Sequence, residues 1–425
     1  MTRTDETVPP TPTAAPRHRR SGSPITGTVA HPSPEHRPCT TVISSLDPNR
    51  ETLRPKLIWF NLTLTVVLLV LLGLLAPAKL LAAEKQKRIF IVSSYDKSYI
   101  WSKSTQGGVN AAMRKFGYFT NDQQARQLVE TDSVETDKVV VRKMWMDTKR
   151  RDAALEMATV TGRIMAEIRK FAPDLVMLGD DNAANYIGNQ LLDTKVPVVF
   201  WGINGLPLRY GLIDKLEAPG RNVTGVWQSG YHKESLDLLK RLVPKAKTFG
   251  ILACDSESSR PNIKMIEQLE RRGSLPFKLV DKVVTNSFED FKRGALALSK
   301  RVDVLFVLNH DTLRDKNGAH VDMLTAGRWY LNNIKIPEAS HEDQFVLEGM
   351  LLTANDSGYN QGFLAFEMAY GILEQGLNPA RMAVRTPDRG PYLVNKNRAR
   401  ALGIRLDDSM YLIDELVDKS LALGR

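Results

Sequence analysis

Residues 174–204 read DLVMLGDDNAANYIGNQLLDTKVPVVFWGIN, and they decide the fold class. LVML is a continuous apolar run that stops at Gly179 and two acids. NAANYIGNQLL then places apolar residues at helical spacing, and VPVVFWGIN is a second apolar run. A strand with one wet face alternates apolar and polar residues, whereas a run without alternation is covered on both faces. Two such strands separated by one helix form a parallel pair with a crossover helix.

The same unit repeats in both directions. Upstream lie the strand RIFIVSSY (88–95), the helical SKSTQGGVNAAMRKFGYF (102–119), the strand VVVRKMWMDT (139–148) and the amphipathic helix RRDAALEMATVTGRIMAEIRKF (150–171). Downstream, Leu206–Asn222 is a connector containing Pro and Gly. After VTGVWQS a second strand–helix series begins, with strands at KTFGILACD (247–255), FKLVDKVV (277–284) and VDVLFVLN (302–309). The expected architecture is α/β: two doubly wound three-layer lobes with parallel sheets, joined by crossover strands. Lobe 1 is expected over 84–208, with roughly 350–380 returning to it; lobe 2 is expected over 222–345, with roughly 383–410 packing on it.

Residues 1–56 are rich in Pro, Thr, Ser, His and Arg without apolar periodicity, and are read as a disordered extension. Residues 57–83 follow Arg54-Pro-Lys56 with an apolar core and then small residues, the order of a signal peptide or an uncleaved membrane anchor. Export to the periplasm is the expectation, with membrane contact only through 57–83 if it is uncleaved. The net charge is +10, of which +6 is spread over the 342 residues after position 83 without a basic run, so no nucleic-acid partner is expected. Of two cysteines, Cys254 alone falls in the globular part, which leaves no structural disulfide or thiolate metal cluster there.

In open α/β sheets ligands lie outside the carboxyl ends of the strands. Those ends carry Ser94, Tyr95, Asp180, Asp181, Asn182, Trp201, Asn204, Asp255 and Asn309, with Trp101 shortly after the first. Tyr95, Tyr99 and Trp101 offer faces for an apolar or planar ligand, or Trp101 packs beneath its helix. One of Asp180 and Asp181 caps a helix, leaving the other for a ligand amine or hydroxyl. Trp201 walls a pocket or packs between the lobes. Lys149 and Arg150 sit at a helix start, where cations oppose the dipole, and fit a lobe–lobe contact or a solvated turn. His310 and His341 stand beside carboxylates, yet neighbours in sequence rarely converge on a metal, and no G-x-S-x-G elbow accompanies them. There is no G-x-G-x-x-G, G-x-x-x-x-G-K-[ST] or H-E-x-x-H. No catalytic residue, metal or cofactor is expected.

SSYDKSYIW, MDTKR, PDLVMLGDDNAANY, VPVVFWGIN, GRNVTGV and the closing GYNQGFLAFEMAYGILEQGLNPA…LVNKNRARALGI occur in this order between Arg88 and Leu406. The ordered set resembles the ABC transporter substrate-binding protein family, with the type I periplasmic-binding-protein fold. The resemblance implies a small organic solute, amino-acid-like solutes among them, bound in an interlobe cleft. It also implies an ABC permease in the inner membrane as partner. An extracellular sensor working with a separate signalling partner is the alternative, and an α/β enzyme a more distant one. Rotation is expected about connections near Gly205–Arg221 and Asp343–Thr353.

Overall fold

The computed structural model describes residues 85–151 and 154–424, so the expected extension and the 57–83 segment lie outside the described residues. Among the described residues thirteen strands form two sheets. The first has the order β2-β3-β1-β4-β5-β6: β1 (Lys87–Ser93), β2 (Ser133–Glu135), β3 (Val139–Trp145), β4 (Leu175–Gly179), β5 (Val198–Ile203) and β6 (Val223–Trp227). All its pairs are parallel except β2 with β3. The apolar runs LVML and VVFW are fully buried, as unalternating strands must be. One face packs on helices α1 (Ile100–Lys115) and α2 (Asp122–Thr131), the other on α3 (Ala154–Phe171) through Met157, Val160, Ile164 and Ile168.

The second sheet has the order β13-β12-β11-β10-β9-β7-β8: β7 (Thr248–Ala253), β8 (Lys278–Val284), β9 (Val304–Val307), β10 (Glu338–Ser340), β11 (Leu352–Ala354), β12 (Tyr392–Asn395) and β13 (Glu415–Val417). Only β11 with β12 is antiparallel. This sheet is also covered on both faces, by residues of helices spanning His232–Leu242 and Ser259–Arg271 on one side and Phe288–Leu298 and Met323–Asn333 on the other. Cys254 is a buried core residue here.

The chain passes between the sheets three times, after β6 (228–231), after β11 (355–357) and before β12 (386–391). The sequence-based placement of the first crossing at Gly205–Arg221 is not what the topology gives. Leu212 and Ile213 bury in the first lobe's core, and β6 then adds to β5 before the chain leaves. Pro and Gly mark irregular backbone there, but irregular backbone can still carry core residues. The second crossing likewise follows Thr353, because Asp343–Glu348 is a helix and β11 pairs within sheet two. Between the second and third crossings the helix Gly358–Gln375 returns to lobe 1 and packs Leu364, Phe366 and Met368 into its core. Among the described residues no helix is long and apolar enough to cross a membrane.

Candidate ligand-binding site

The carboxyl ends of both sheets face one another and touch. At the outer seam Lys149 Nζ lies 3.1 Å from Asp311 Oδ2, with both side chains over nine-tenths buried. Tyr99 donates its hydroxyl to the same carboxylate. Burial alone would raise the Asp311 pKa, but Lys149 overrides it and holds the carboxyl below its ordinary value. For Lys149, burial pushes downward and Asp311 more than offsets it, so the ammonium is kept. The Lys149 ammonium also sits 4.4 Å from the centre of the Tyr95 ring, and Tyr95 Oη is 2.9 Å from Ser258 Oγ. Asn262 Nδ2 donates to Asn204 Oδ1 at 2.8 Å.

Deeper, toward the crossings, the partners change. Asp180 opens the helix Asp180–Ala183 with φ +69°, a left-handed conformation costly for a non-glycine residue. Its Oδ1 accepts Trp101 Nε1–H at 2.6 Å. Gly202 is required beside it: a Cβ there would stand 2.5 Å from that oxygen, and its φ is +68°. Burial raises the Asp180 carboxyl well above its ordinary pKa. Adjacent Asp181 is equally buried but receives Asn204 N, Asn204 Nδ2, Gly205 N and Tyr210 Oη at 2.8–3.0 Å.

From lobe 2, Glu342 accepts amide protons from Gln228 and Gln344, with His341 Nε2 3.2 Å from its Oε1. Asp356 accepts Gly230 N–H at 2.7 Å and Gln361 Nε2–H at 3.2 Å, while Gln361 Oε1 accepts Gly202 N–H. Burial lifts both Asp343 and Asp356 to about 6. Gln228 Oε1, Gln344 Oε1, Asn309 Oδ1 and Asp343 Oδ1 are buried without a hydrogen-bond partner.

The structure distributes the expected residues unevenly. Tyr95, Trp101, Asp180, Asn204 and Asn309 are buried where the lobes meet. Ser94 is occupied within lobe 1, donating to Gly179 O and accepting from Ala183 N. Trp201 lies in the core between sheet one and the Gly358–Gln375 helix, its ring against Gly179. Asn182 donates to Thr148 Oγ1 and, with Asp255 and Ser256, lines a lateral cavity of about 260 Å³. Asp255 is half exposed and holds Arg260. Gln228, Gln344, Ser258, Asn262 and Asp356 were not read from the sequence. Gln228 directly follows β6, just beyond the expected connector, and the rest meet partners only through the tertiary fold. His310 pairs with Glu348 at 2.8 Å inside lobe 2. No group of three His, Cys, Asp or Glu among the described residues converges to hold a metal ion.

Two parallel-dominated α/β lobes closing on a polar cleft define a solute-binding protein of the type I periplasmic fold. The sequence profile described as "ABC transporter substrate binding protein" matches residues 145–415, well over half of the chain. The chain belongs to that family, whose members bind solutes outside the cytoplasm rather than catalyse reactions. A tyrosine-binding protein of Clostridioides difficile (strain R20291) is 26% identical over 211 residues, 49% of this chain and 58% of that protein. The match thus spans less than two thirds of that relative's length. A Streptococcus pneumonia ABC domain solved with L-Trp shares the fold at a TM-score of 0.59 and 20% identity, covering 78% of this chain and 100% of that one. The ligand-free, open structure of a Clostridium difficile substrate-binding protein with adhesive properties does so at 0.57 and 24%, covering 78% and 99%.

Proposed function

We propose that this protein is the extracytoplasmic solute receptor of an ABC-type importer. It captures an aromatic, nitrogen-bearing solute of about amino-acid size at the base of the interlobe cleft. The observation that carries the reading is Asp180: a buried carboxyl in a strained backbone conformation, fixed by Trp101, at the point where both lobes meet. Strain of this kind persists where the surroundings over-determine it, and it concentrates at ligand sites. Trp101 and Tyr95 supply apolar walls and Asp180 selects a donor group, while Asn204 and Asn309 polarise the rim. Tyrosine and tryptophan in the related proteins are consistent with such walls.

Ligand would enter between separated lobes, which then rotate about the three crossings at 228–231, 355–357 and 386–391. Closure joins Lys149 to Asp311 and Tyr95 to Ser258, and forms the continuous surface that an inner-membrane permease reads. Residues 57–83 would deliver the protein there. The test is a thermal-shift and calorimetric titration of the protein with tyrosine, tryptophan, tyramine and tryptamine. At least one should bind, with binding lost in Asp180→Asn. No response to any of the four, or equal response in the variant, overturns the reading.

A further inference from the structure

The base of the cleft is acidic, and among the described residues no lysine or arginine is paired with its carboxyls. Asp180, Glu342, Asp343 and Asp356 are buried close enough that the Glu342 charge acts on the other three; Trp101 holds Asp180, Gln228 holds Glu342, and Gln361 with the Gly230 amide holds Asp356. His341, at Glu342, is the imidazole nearest to them, and His232 stands beside it with its pKa pushed down to about 3 by burial, hence neutral. The neighbouring lysines feel the Asp180 charge but make their bonds elsewhere: Lys149 with Asp311, and Lys143 with Gln106 and the Trp145 ring. Buried carboxylates without a counter-charge are strongly destabilising, so proteins retain them where something else completes the pairing.

A second observation, independent of charge, identifies what is missing. Gln228 and Gln344 are 2% and 1% exposed, and each donates its amide NH2 to Glu342. Asn309 donates its NH2 to Asp311. A carboxylate accepts hydrogen bonds, which fixes the amide orientation and leaves the three amide oxygens as the open ends. The fourth open atom, Asp343 Oδ1, is also an acceptor. The ring nitrogens of His232 and His341 also lack hydrogen-bond partners, and a neutral imidazole adds one donor and one acceptor, so open acceptors outnumber open donors there and call for a ligand rich in N–H donors.

A receptor for a zwitterion also needs a place for the carboxylate. Among the described residues the cations near the cleft are engaged: Lys149 by Asp311, Arg150 and Arg151 by Asp147, Arg260 by Asp255, and Arg314 by the Arg150 carbonyl. The helix start that could bind an anion through its free N–H groups bears Asp180 and Asp181 in its first turn, and these repel one.

We infer that the site takes an organic ammonium ion without a carboxylate, an arylalkyl amine in preference to the amino acid of the same skeleton. This rests on the cleft being the ligand site, and refines its substrate class. The ammonium donates to Asp180, Glu342 and the open amide oxygens, and the aromatic ring lies against Trp101 and Tyr95.

Three probes on one skeleton separate the charges: tryptamine, tryptophan and indole-3-propionate, each titrated into the full-length protein by calorimetry. Tryptamine is expected to bind at least tenfold more tightly than tryptophan, and indole-3-propionate not at all. Glu342→Gln, checked for folding by circular dichroism, should weaken tryptamine at least tenfold; should it misfold, Gln228→Leu takes its place with the same expectation. Equal or tighter binding of tryptophan overturns the inference while leaving the receptor assignment standing. Failure of all three probes overturns the inference, and if tyrosine and tyramine also fail, the receptor assignment falls with it.

Discussion

The outer seam and the inner floor of the cleft are built from the same residue types, yet they are in opposite states. At the seam three pairs of groups complement one another across the lobes: Lys149 with Asp311, Tyr95 with Ser258, Asn204 with Asn262. At the floor, the carboxyls crowd together and Asp343 Oδ1 and the side-chain oxygens of Gln228 and Gln344 have no donor. A polar contact that is complete by itself holds the lobes together; one that is incomplete waits for a third component. The contrast separates latch from receptor within a single cleft.

The comparison breaks most sharply at Asp180. Asp180→Asn keeps the floor's shape but removes a carboxyl that can ionise against a bound ammonium, so ligand affinity should fall by about 2–5 kcal/mol, roughly thirtyfold to several thousandfold. Calorimetry reads this directly, and an unchanged affinity would transfer the receptor role to the seam.

Asp343 tests whether the floor carries a stored electrostatic cost. Its folded pKa is raised to about 6 from an ordinary value of 3.8. The protonated form is therefore favoured by folding, and its stabilising contribution is lost as pH rises from about 4 through 6. Asp343→Asn, which cannot ionise, should exceed the wild type in stability by about 1–3 kcal/mol at pH 7.5, with the difference vanishing near pH 4. Urea melts at the two pH values measure it.

At the seam, Asp311→Asn unpairs Lys149 only in the closed state, since opening rehydrates it. About 1–2 kcal/mol of closed-state preference should be lost, visible as a larger radius of gyration in X-ray scattering and about tenfold weaker ligand binding. Asp255, expected at the site from sequence, is half exposed and holds Arg260 at the rim. Asp255→Ala should change affinity less than twofold and stability by under about 0.5 kcal/mol.

The two lobes were legible in the sequence because parallel strands covered on both faces leave unbroken apolar runs. The crossings were less so. A connector with Pro207, Gly211 and Pro219 looks like a hinge, and only its contacts reveal that Leu212 and Ile213 are core. Trp101 and Trp201 illustrate the limit for side chains. Both are aromatic and close to a strand end, yet Trp201 stands on the strand itself and meets a helix supplied some 160 residues later. Asp180 and Asp181 are the same residue type in adjacent positions. They differ because Asn204, Gly205 and Tyr210 converge on one and Trp101 alone on the other. Glu342 and Gln228 meet only once both sheets exist, so no local pattern announces their pairing.

The return of Gly358–Gln375 to the first lobe sets an order of events for synthesis. That lobe's core includes Leu364, Ala365, Phe366 and Met368. Strands β1 to β6 therefore emerge from a ribosome long before the helix that seals them, and six strands' worth of apolar surface must wait while the 130 residues 228–357, with β7 to β11, are made. Contacts so distant along the chain form slowly and leave hydrophobic surface open in the interval. A nascent chain of this topology leaves the core of its first lobe open until Gln375 has been made.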